Sequence, residues 1–365
     1  MLLLTGMLVL GACASTPLES VKPPPLKNAG PPVQVADVDV LEVSPEMEAF
    51  LDRYVLKYKN PHTRMELLIT AVTRSGVLGF QYDETMTKTA SEAFKARAGN
   101  CVAFSNLMVA LARRAGLEAS YQEVLLSAEW SDFEDDTVLL YKHVNVVIET
   151  GQMSWIVDVS GIKIRQSDPR RIVEDSYAKA LYFNNIAVES LLEKDLPTAF
   201  AYVNSAIEAD RNVIDPWVNL GVIYGRNDHL TDAAFALQQA LRINPRDQSS
   251  MSNLYEIYLE QENFQAAAEL EAKVERYRRN NPYYLLRLSD EALAEEQYEE
   301  SIKLLRKAIK KKDDDHKLYF ALAKTQYLSG EVAAAQSSLL RARELAPEDQ
   351  IAYYDRPLDE LVTDQ

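Results

Sequence analysis

The chain has 365 residues, of which 47% are hydrophobic, 26% charged and 9% aromatic. This composition is typical of globular proteins and excludes a fibrous or wholly disordered chain. The length suggests two or three domains, or one domain and a repeat array. Asp and Glu number 55 against 39 Lys and Arg, which gives a net charge of −16. Because so acidic a chain repels phosphate groups, we do not expect nucleic acid as a partner.

The first ten residues are almost wholly apolar and are followed by Leu10-Gly11-Ala12-Cys13. An apolar segment that ends in small residues is typical of a secretion signal. This one resembles the bacterial lipoprotein signal, which implies cleavage before Cys13 and lipid attachment to it. The alternative is an ordinary secretion signal with an incidental cysteine. By analogy we expect a lipid-anchored protein of the bacterial cell envelope that faces the periplasm from the outer membrane.

Residues 14–44 contain six prolines, and they have few apolar side chains before residue 37. The prolines lie at positions 17, 23, 24, 25, 31 and 32. Proline-rich segments favour an extended conformation and do not form a packed core. The sequence therefore predicts a signal peptide over 1–13 and an extended tether over 14–44.

Starting near residue 176, the chain repeats with a period of about 34 residues. The blocks are 180–213, 214–247, 248–281, 282–315 and 316–349. Small residues recur at the eighth, twentieth and twenty-seventh positions, as in Gly221, Ala233 and Ala240 of the second block. Tyr255 and Val274 of the third block depart from this pattern. The pattern resembles the tetratricopeptide repeat (TPR), a helix-turn-helix unit of about 34 residues.

The resemblance implies an all-α solenoid of five repeats over residues 176–349, whose groove binds a protein or peptide partner. An alternative role for the repeats is packing against the other domain only. Residues 350–365 are acidic and are predicted to form a capping helix, because the end of a repeat array needs a polar outer face.

Residues 45–175 show no repeat and are predicted to form a separate domain. Helical patterns cover 45–58, 64–74 and 101–115, and strand patterns cover 119–127, 138–149 and 155–160. Helices followed by antiparallel strands indicate an α+β fold.

Cys101 follows Gly99 and Asn100, which favour a turn and a helix cap. We therefore expect Cys101 in the first turn of a helix, where the free N–H groups stabilise a negative charge. Gly99 is interpreted as leaving room for the backbone of a substrate. The alternative is a buried structural cysteine.

A cysteine nucleophile needs a base, and the base needs an orienting group. His143 lies in a strand pattern that places it on the same face as Asn145, and Asp158 lies in the next strand. A short turn joins the two strands, so they are predicted to pair as a hairpin and to bring His143 near Asp158. A structural role for the histidine remains the alternative. The other three histidines lie outside strands of this kind and are interpreted as surface residues.

The segments around Gly99-Asn100-Cys101, His143 and Asp158 resemble the bacterial transglutaminase-like core over about residues 80–160. The resemblance implies a papain-like α+β fold in which Cys101 is the nucleophile, His143 the base and Asp158 the orienting group. It also implies a thioester intermediate, resolved by water in a peptidase or amidase and by an amine in a transglutaminase. Asn100 and Asn145 depart from the residues usual in the family and leave the substrate open.

Three functional hypotheses follow. The first is a thiol enzyme that acts on peptide or protein amides, more often by hydrolysis than by cross-linking, with repeats that recruit a partner or substrate. The second is a non-catalytic scaffold that binds a peptide, and the third is an adaptor in which the repeats carry the whole function. No metal or cofactor is expected. The Cys101 N–H is the expected oxyanion donor, and the sequence does not choose a second donor among Gln122, Tyr121 and Trp130.

Overall fold

A computed structural model describes residues 22–27, 33–125, 130–132, 138–140, 143–151, 153–162, 164, 168–347 and 350–355, without the side chains of 130–132, 138–140 and 277. These residues divide into two compact units. The first unit comprises the N-terminal region with the helices up to residue 262, apart from the segments 125–143 and 164–169. The second comprises those segments and residues 263–365.

In the described part of the chain four helices precede the main sheet, and each begins after a residue whose side chain accepts a hydrogen bond from the first helical turn. They are α1 (Pro45–Tyr54), α2 (Pro61–Thr73), α3 (Ala90–Ala96) and α4 (Cys101–Arg114). Their N-caps are Ser44, Asn60, Thr89 and Asn100. A cap of this type satisfies one of the backbone N–H groups left unpaired at a helix start. Helix α1 ends at Tyr54, four residues before the end of the helical pattern.

Among the described residues, eight strands form three sheets. They are β1 (Gln81–Tyr82), β2 (Ala98–Gly99), β3 (Glu118–Val124), β4 (Trp130–Asp132), β5 (Val138–Leu140), β6 (His143–Thr150), β7 (Met153–Val157) and β8 (Arg170–Val173). The main sheet has the order β7-β6-β3-β8, while β1 pairs with β2 and β4 with β5. Residues 138–149, predicted as one strand, thus contribute to two sheets.

Helix α4 lies at the centre of the first unit. Its residues 102–112 are all buried, and the core around it includes Leu107 and Met108 of the helix and Val144, Val146 and Ile148 of β6. Most of these enclosed residues are apolar, as is typical of a helix in a core position.

Residues 33–44, which the sequence analysis assigns to the tether, form no helix or strand but contact the first unit. Val40 is 4% exposed and belongs to the core, and its carbonyl oxygen accepts a hydrogen bond from the Ala90 N–H. Asp37 forms an ion pair of 2.6 Å with Lys179. This stretch therefore lies along the folded part of the chain.

The remainder of the described chain is helical and begins with α5. The helices are α5 (Asp175–Leu192), α6 (Leu196–Ala209), α7 (Ile214–Arg226), α8 (Leu230–Ile243), α9 (Gln248–Glu260), α10 (Phe264–Arg278), α11 (Pro282–Ala294), α12 (Tyr298–Lys311), α13 (His316–Leu328) and α14 (Val332–Leu345). From α7 onward, the first helix of each pair begins at or next to the first residue of a block.

The small residues of the blocks are buried, as the repeat pattern requires. At the twentieth position, Ala199, Ala233, Ala267, Ser301 and Ala335 are all at most 2% exposed. Gly221 shows the reason at the eighth position, since a Cβ there would lie 2.6 Å from the Leu237 side chain. Helices α7 and α8 therefore approach each other too closely for a larger residue without rearrangement. Tyr255, the bulky exception, is half-buried.

The turn between the two helices of each pair has the same backbone conformation in every block. Lys194, Asp228, Glu262, Glu296 and Gly330 occupy the same position of successive blocks, and all have φ between 56° and 86°. In four of the five blocks a residue with a side chain adopts this left-handed conformation, which costs about 1–2 kcal/mol relative to the right-handed one. The repeat geometry, and not glycine, sets the turn.

Helix α5 belongs to the core of the first unit as much as to the repeats. Tyr177 on α5 donates a 2.5 Å hydrogen bond to Glu123 of β3, which is fully buried. Arg171 of β8 forms an ion pair with the same carboxylate. At the start of α5, Asp175 pairs with both terminal nitrogens of Arg113 at 2.6 and 2.9 Å. The sheet, α4 and the first repeat helix are thus joined by polar contacts.

At the C-terminal end, residues 351–355 are helical. Tyr354 is 3% exposed and packs with Leu339 and Ala342. The rest of the predicted capping segment, 356–365, lies outside the described residues, as do 1–21. In the part of the chain that is described, no helix combines the length and the apolar character needed to cross a membrane.

Candidate functional site

Cys101 is the first residue of α4 and is half-buried, in contrast to the eleven enclosed residues that follow it. Asn100 caps the helix, with its Oδ1 accepting from the Ala103 N–H at 3.0 Å. The position of Cys101 in the first helical turn, predicted from Asn100 and the apolar spacing, is confirmed. The thiol therefore lies at the positive end of the helix dipole.

Gly99 does not leave room for a substrate, and that interpretation is wrong. The residue is buried, and a Cβ there would lie 2.5 Å from the Ala103 Cβ and 3.3 Å from the Met86 carbonyl oxygen. The first turn of α4 already occupies the space. Gly99 is required because the chain passes directly against the helix that carries Cys101.

Buried polar side chains of α4 fix the helix against the sheet. The Ser105 hydroxyl donates to the carbonyl oxygen of Val144 in β6 at 3.3 Å. Asn106 donates to the Lys88 carbonyl oxygen at 3.1 Å and accepts from the Tyr121 hydroxyl at 2.8 Å. These contacts fix the helix that begins with Cys101 against β6 and β3.

Strands β6 and β7 pair antiparallel in the predicted hairpin, with Val146 opposite Val157. Continued by one residue, this register sets Asn145 opposite Asp158, and Asn145 Nδ2 lies 3.5 Å from Asp158 Oδ2. Alternation puts His143 on the same face as Asn145, and both are 1% exposed. Asp158 Oδ1 accepts from the Ser160 N–H at 2.9 Å and from its hydroxyl at 2.7 Å. Asn145 and Asp158 thus lie side by side on the two paired strands.

Of the three residues that the sequence offers as a second oxyanion donor, the structure excludes Tyr121. The Tyr121 hydroxyl is fully buried and donates to Asn106, and burial raises the pKa of this phenol. Tyr121 therefore has a structural role. Gln122, the next residue of β3, is half-buried, and the Trp130 side chain lies outside the described part of the chain.

A chain of hydrogen bonds connects the cap of α4 to the first repeat helix. Asn100 Nδ2 donates to the Thr87 hydroxyl oxygen at 2.8 Å, and the Thr87 hydroxyl donates to Glu189 of α5 at 3.0 Å. Burial raises the pKa of Glu189. The residue before the candidate nucleophile is thus supported by a side chain far along the sequence, which no local pattern could have indicated.

The sequence analysis also missed a groove between α2 and β7. It has a volume of about 510 Å³, and Thr63, Glu66, Thr70 and Trp155 are among its lining residues. The Trp155 ring is 37% exposed and lies 5.3 Å from the ring of His62. Trp155 lies on β7, three residues before Asp158. The groove, which Trp155 lines, is therefore next to the strand that ends just before Asp158.

Cys13 lies outside the described residues. Within the described ranges, no group of three or more His, Cys, Asp or Glu side chains has an arrangement that could hold a metal ion.

Comparison with known families finds matches of two kinds. Residues 49–159 match the Transglutaminase-like superfamily, a range that contains Cys101, His143 and Asp158. Residues 214–247 and 292–355 match tetratricopeptide repeat families. No curated protein matches the chain.

Solved structures resemble about half of the chain. MamA from Desulfovibrio magneticus RS-1 has 17% identity and a TM-score of 0.29, over 46% of this chain and 94% of its own. Pseudomonas aeruginosa PilF has 16% identity and a TM-score of 0.33, over 52% and 94%. Yeast Tom70 has 15% identity and a TM-score of 0.40, over 51% and 40%. Similarity at this level says nothing of a shared ligand. The family matches and the observed helix pairs identify a transglutaminase-like domain followed by a helical tetratricopeptide repeat region.

Proposed function

We propose that this protein is a thiol enzyme that acts on peptide or protein amides through a thioester on Cys101. The observation that carries the proposal is the position of Cys101. It is the partly accessible first residue of an otherwise enclosed helix, and the next turn of that helix is hydrogen-bonded to the strand that begins with His143.

In the proposed reaction, the Cys101 sulfur attacks the carbonyl carbon of the amide while His143 accepts the thiol proton. His143 then gives this proton to the leaving amine as the C–N bond breaks, and Asp158 orients the imidazole. Water resolves the thioester in a hydrolase, and a second amine does so in a transglutaminase. We favour hydrolysis, because water is abundant and no amine site is identified.

The experiment uses the chain with Cys13→Ser, which leaves Cys101 as its single thiol. The probe is 4-nitrophenyl acetate, whose acetyl group is transferred to the sulfur while 4-nitrophenolate leaves. We expect intact-mass spectrometry to detect one acetyl group on Cys101, and we expect Cys101→Ala to abolish it. His143→Gln should slow acetylation at least tenfold, because the thiol then has no base.

The matched control is His316→Gln. His316 lies in the repeats, where its Nδ1 is 2.5 Å from the Tyr354 hydroxyl, and its substitution should leave the rate of acetylation unchanged. Equal rates for His143→Gln and the starting protein would exclude His143 as the base.

A second candidate function is a non-catalytic scaffold that binds a protein or peptide. It is favoured by the repeats, which suggest protein or peptide binding. Asp158→Asn distinguishes the two functions. It should slow the acetylation of Cys101 if Asp158 orients His143. If the protein is a scaffold, it should leave the rate of acetylation unchanged.

Lipid attachment to Cys13 is the further part of the proposal, and it would place the protein on the outer membrane facing the periplasm. It is supported by the Leu10-Gly11-Ala12-Cys13 sequence alone. Mass spectrometry of protein extracted from membranes should find acyl chains on an N-terminal Cys13. An unprocessed N-terminus would contradict this assignment.

A further inference from the structure

The proline-rich segment 22–27 lies against the second repeat. The Tyr224 hydroxyl donates to the carbonyl oxygen of Pro24, and Asn227 Nδ2 donates to the carbonyl oxygen of Lys27 at 2.9 Å. Both donors belong to the end of α7, where Asn227 is the residue that terminates the helix. Pro23, Pro24 and Leu26 are half-buried, while Lys22, Pro25 and Lys27 are exposed. One side of the segment therefore faces the protein.

The two accepting carbonyl groups are three residues apart, and so are the two donors. A polyproline II helix has three residues per turn, which brings residues i and i+3 to the same side. Residues i and i+3 of an α-helix also share a face. Because proline has no N–H, a run of prolines cannot pair its own backbone, so its carbonyl oxygens are available to donors on another element.

A tyrosine and an asparagine stand together at these positions in one block of the five. Tyr224 and Asn227 occupy the eleventh and fourteenth positions of the second block. The corresponding pairs in the other blocks are Ser190 and Glu193, Tyr258 and Gln261, Ala292 and Glu295, and Gln326 and Ser329. Tyr224 is also fully buried and packs against the rings of Phe200 and His229. A buried hydroxyl without a partner is costly, and the Pro24 carbonyl oxygen supplies one.

We propose that the end of α7 is a recognition site for an extended proline-rich peptide, and that residues 22–27 are its intramolecular ligand. At this site, Tyr224 and Asn227 donate hydrogen bonds to two backbone carbonyl groups that are three residues apart. The proline-rich segment is then fixed at this point and is not a free spacer, and a partner peptide of the same kind competes with it. This inference does not depend on the chemistry of Cys101 or on lipid at Cys13.

The test uses the full chain with Cys13→Ser in mild detergent, and a second protein in which residues 22–27 are replaced by Gly and Ser. The probe is a fluorescent synthetic peptide of residues 20–29, and binding is measured by anisotropy. We expect the peptide to bind the protein with the replaced segment, and to bind the native-segment protein at least tenfold more weakly because its site is occupied.

Tyr224→Phe in the replaced-segment protein should weaken peptide binding at least threefold. Tyr258→Phe is the matched control, because Tyr258 lies at the same position of the next block and bonds to Gln238 instead. It should leave binding unchanged. Circular dichroism checks that each variant keeps its helices. Absence of peptide binding to the folded replaced-segment protein, or equal binding by its Tyr224→Phe variant, would overturn the proposal.

Discussion

The candidate nucleophile and the repeats are built from helices that are fixed in different ways. Helix α4 is enclosed on all sides and is held by single contacts to distant residues, such as that of Ser105 with Val144. In the repeats, the same small buried positions recur in each successive block. Each contact around Cys101 is therefore unique in the molecule, whereas a contact within one repeat has an equivalent in the neighbouring repeats.

The largest expected effect separates the two regions by stability. Leu107 of α4 and Leu305 of α12 are both fully buried, and replacing a buried Leu by Ala costs about 3–5 kcal/mol. All three tryptophans lie before residue 218, so tryptophan fluorescence reports the N-terminal part and circular dichroism reports all helices. Leu107→Ala should lower the urea midpoint by both probes. Leu305→Ala should lower it by circular dichroism alone, because repeat contacts are local. Because Trp217 lies in the second block, a shift of the fluorescence midpoint in Leu305→Ala would show that α12 and the part of the chain up to α7 unfold together.

A second pair of substitutions compares two glycines whose backbone lies close to a neighbouring side chain. Gly99→Ala forces a new Cβ against the Ala103 Cβ, and we expect a loss of about 1–3 kcal/mol with a changed rate of Cys101 alkylation by iodoacetamide. Gly221→Ala meets the side chain of Leu237, and Ala already occupies that position in two other blocks. It should cost less and should not alter alkylation. Thermal unfolding and labelling rates provide both readouts, and a larger loss in Gly221→Ala would reverse the comparison.

Two asparagine caps with the same exposure give the third comparison. Asn100 and Asn281 are each 5% exposed and cap α4 and α11. Replacing either by Ala should cost about 1 kcal/mol in urea unfolding, because each leaves helical N–H groups unpaired. Asn100→Ala alone should change the rate of Cys101 alkylation. Equal labelling of the starting protein and Asn100→Ala would mean that the cap does not position the thiol.

The smallest effect concerns Glu189, whose pKa is raised mainly by burial and further by Glu193. Between its unfolded and folded pKa values the native state holds the extra proton, so its contribution to stability falls as pH rises through that window. Glu189→Gln should remove this dependence, and the advantage of the variant over the starting protein should shrink as pH falls toward about 4.5. Urea unfolding at several pH values measures it. Glu193→Gln should move the window to lower pH, and an identical pH profile for Glu189→Gln and the starting protein would contradict the assignment.

Much of the fold follows from local sequence. Asn100 before apolar residues at helical spacing was sufficient to place Cys101 at the start of a helix, and small residues at the same positions of every block were sufficient to predict the helix pairs. The left-handed turns were not predictable, because Lys194, Asp228, Glu262 and Glu296 are not the glycines that this conformation favours. There, packing of the two helices overrides local preference.

The contacts around the candidate site were harder to predict. Glu123 lies in a strand between Gln122 and Val124, and its partners Arg171 and Tyr177 are 48 and 54 residues away. Nothing local distinguishes it from an exposed glutamate. The sequence shows that Gly99 lacks a side chain, but its role depends on its contact with Ala103 of the adjoining helix. Both cases depend on tertiary contacts that a single sequence does not contain.

The buried carboxylate of Glu123 has a consequence for how such a protein can change over evolutionary time. A gene rearrangement that joined the transglutaminase-like domain to a different repeat array at residue 175 would remove Tyr177 and leave part of this carboxylate buried without its partner, which is strongly unfavourable. The domain and α5 are therefore expected to be inherited as one piece. Duplication and loss are tolerated further along, in steps of one whole block, because each block repeats the buried positions of the last.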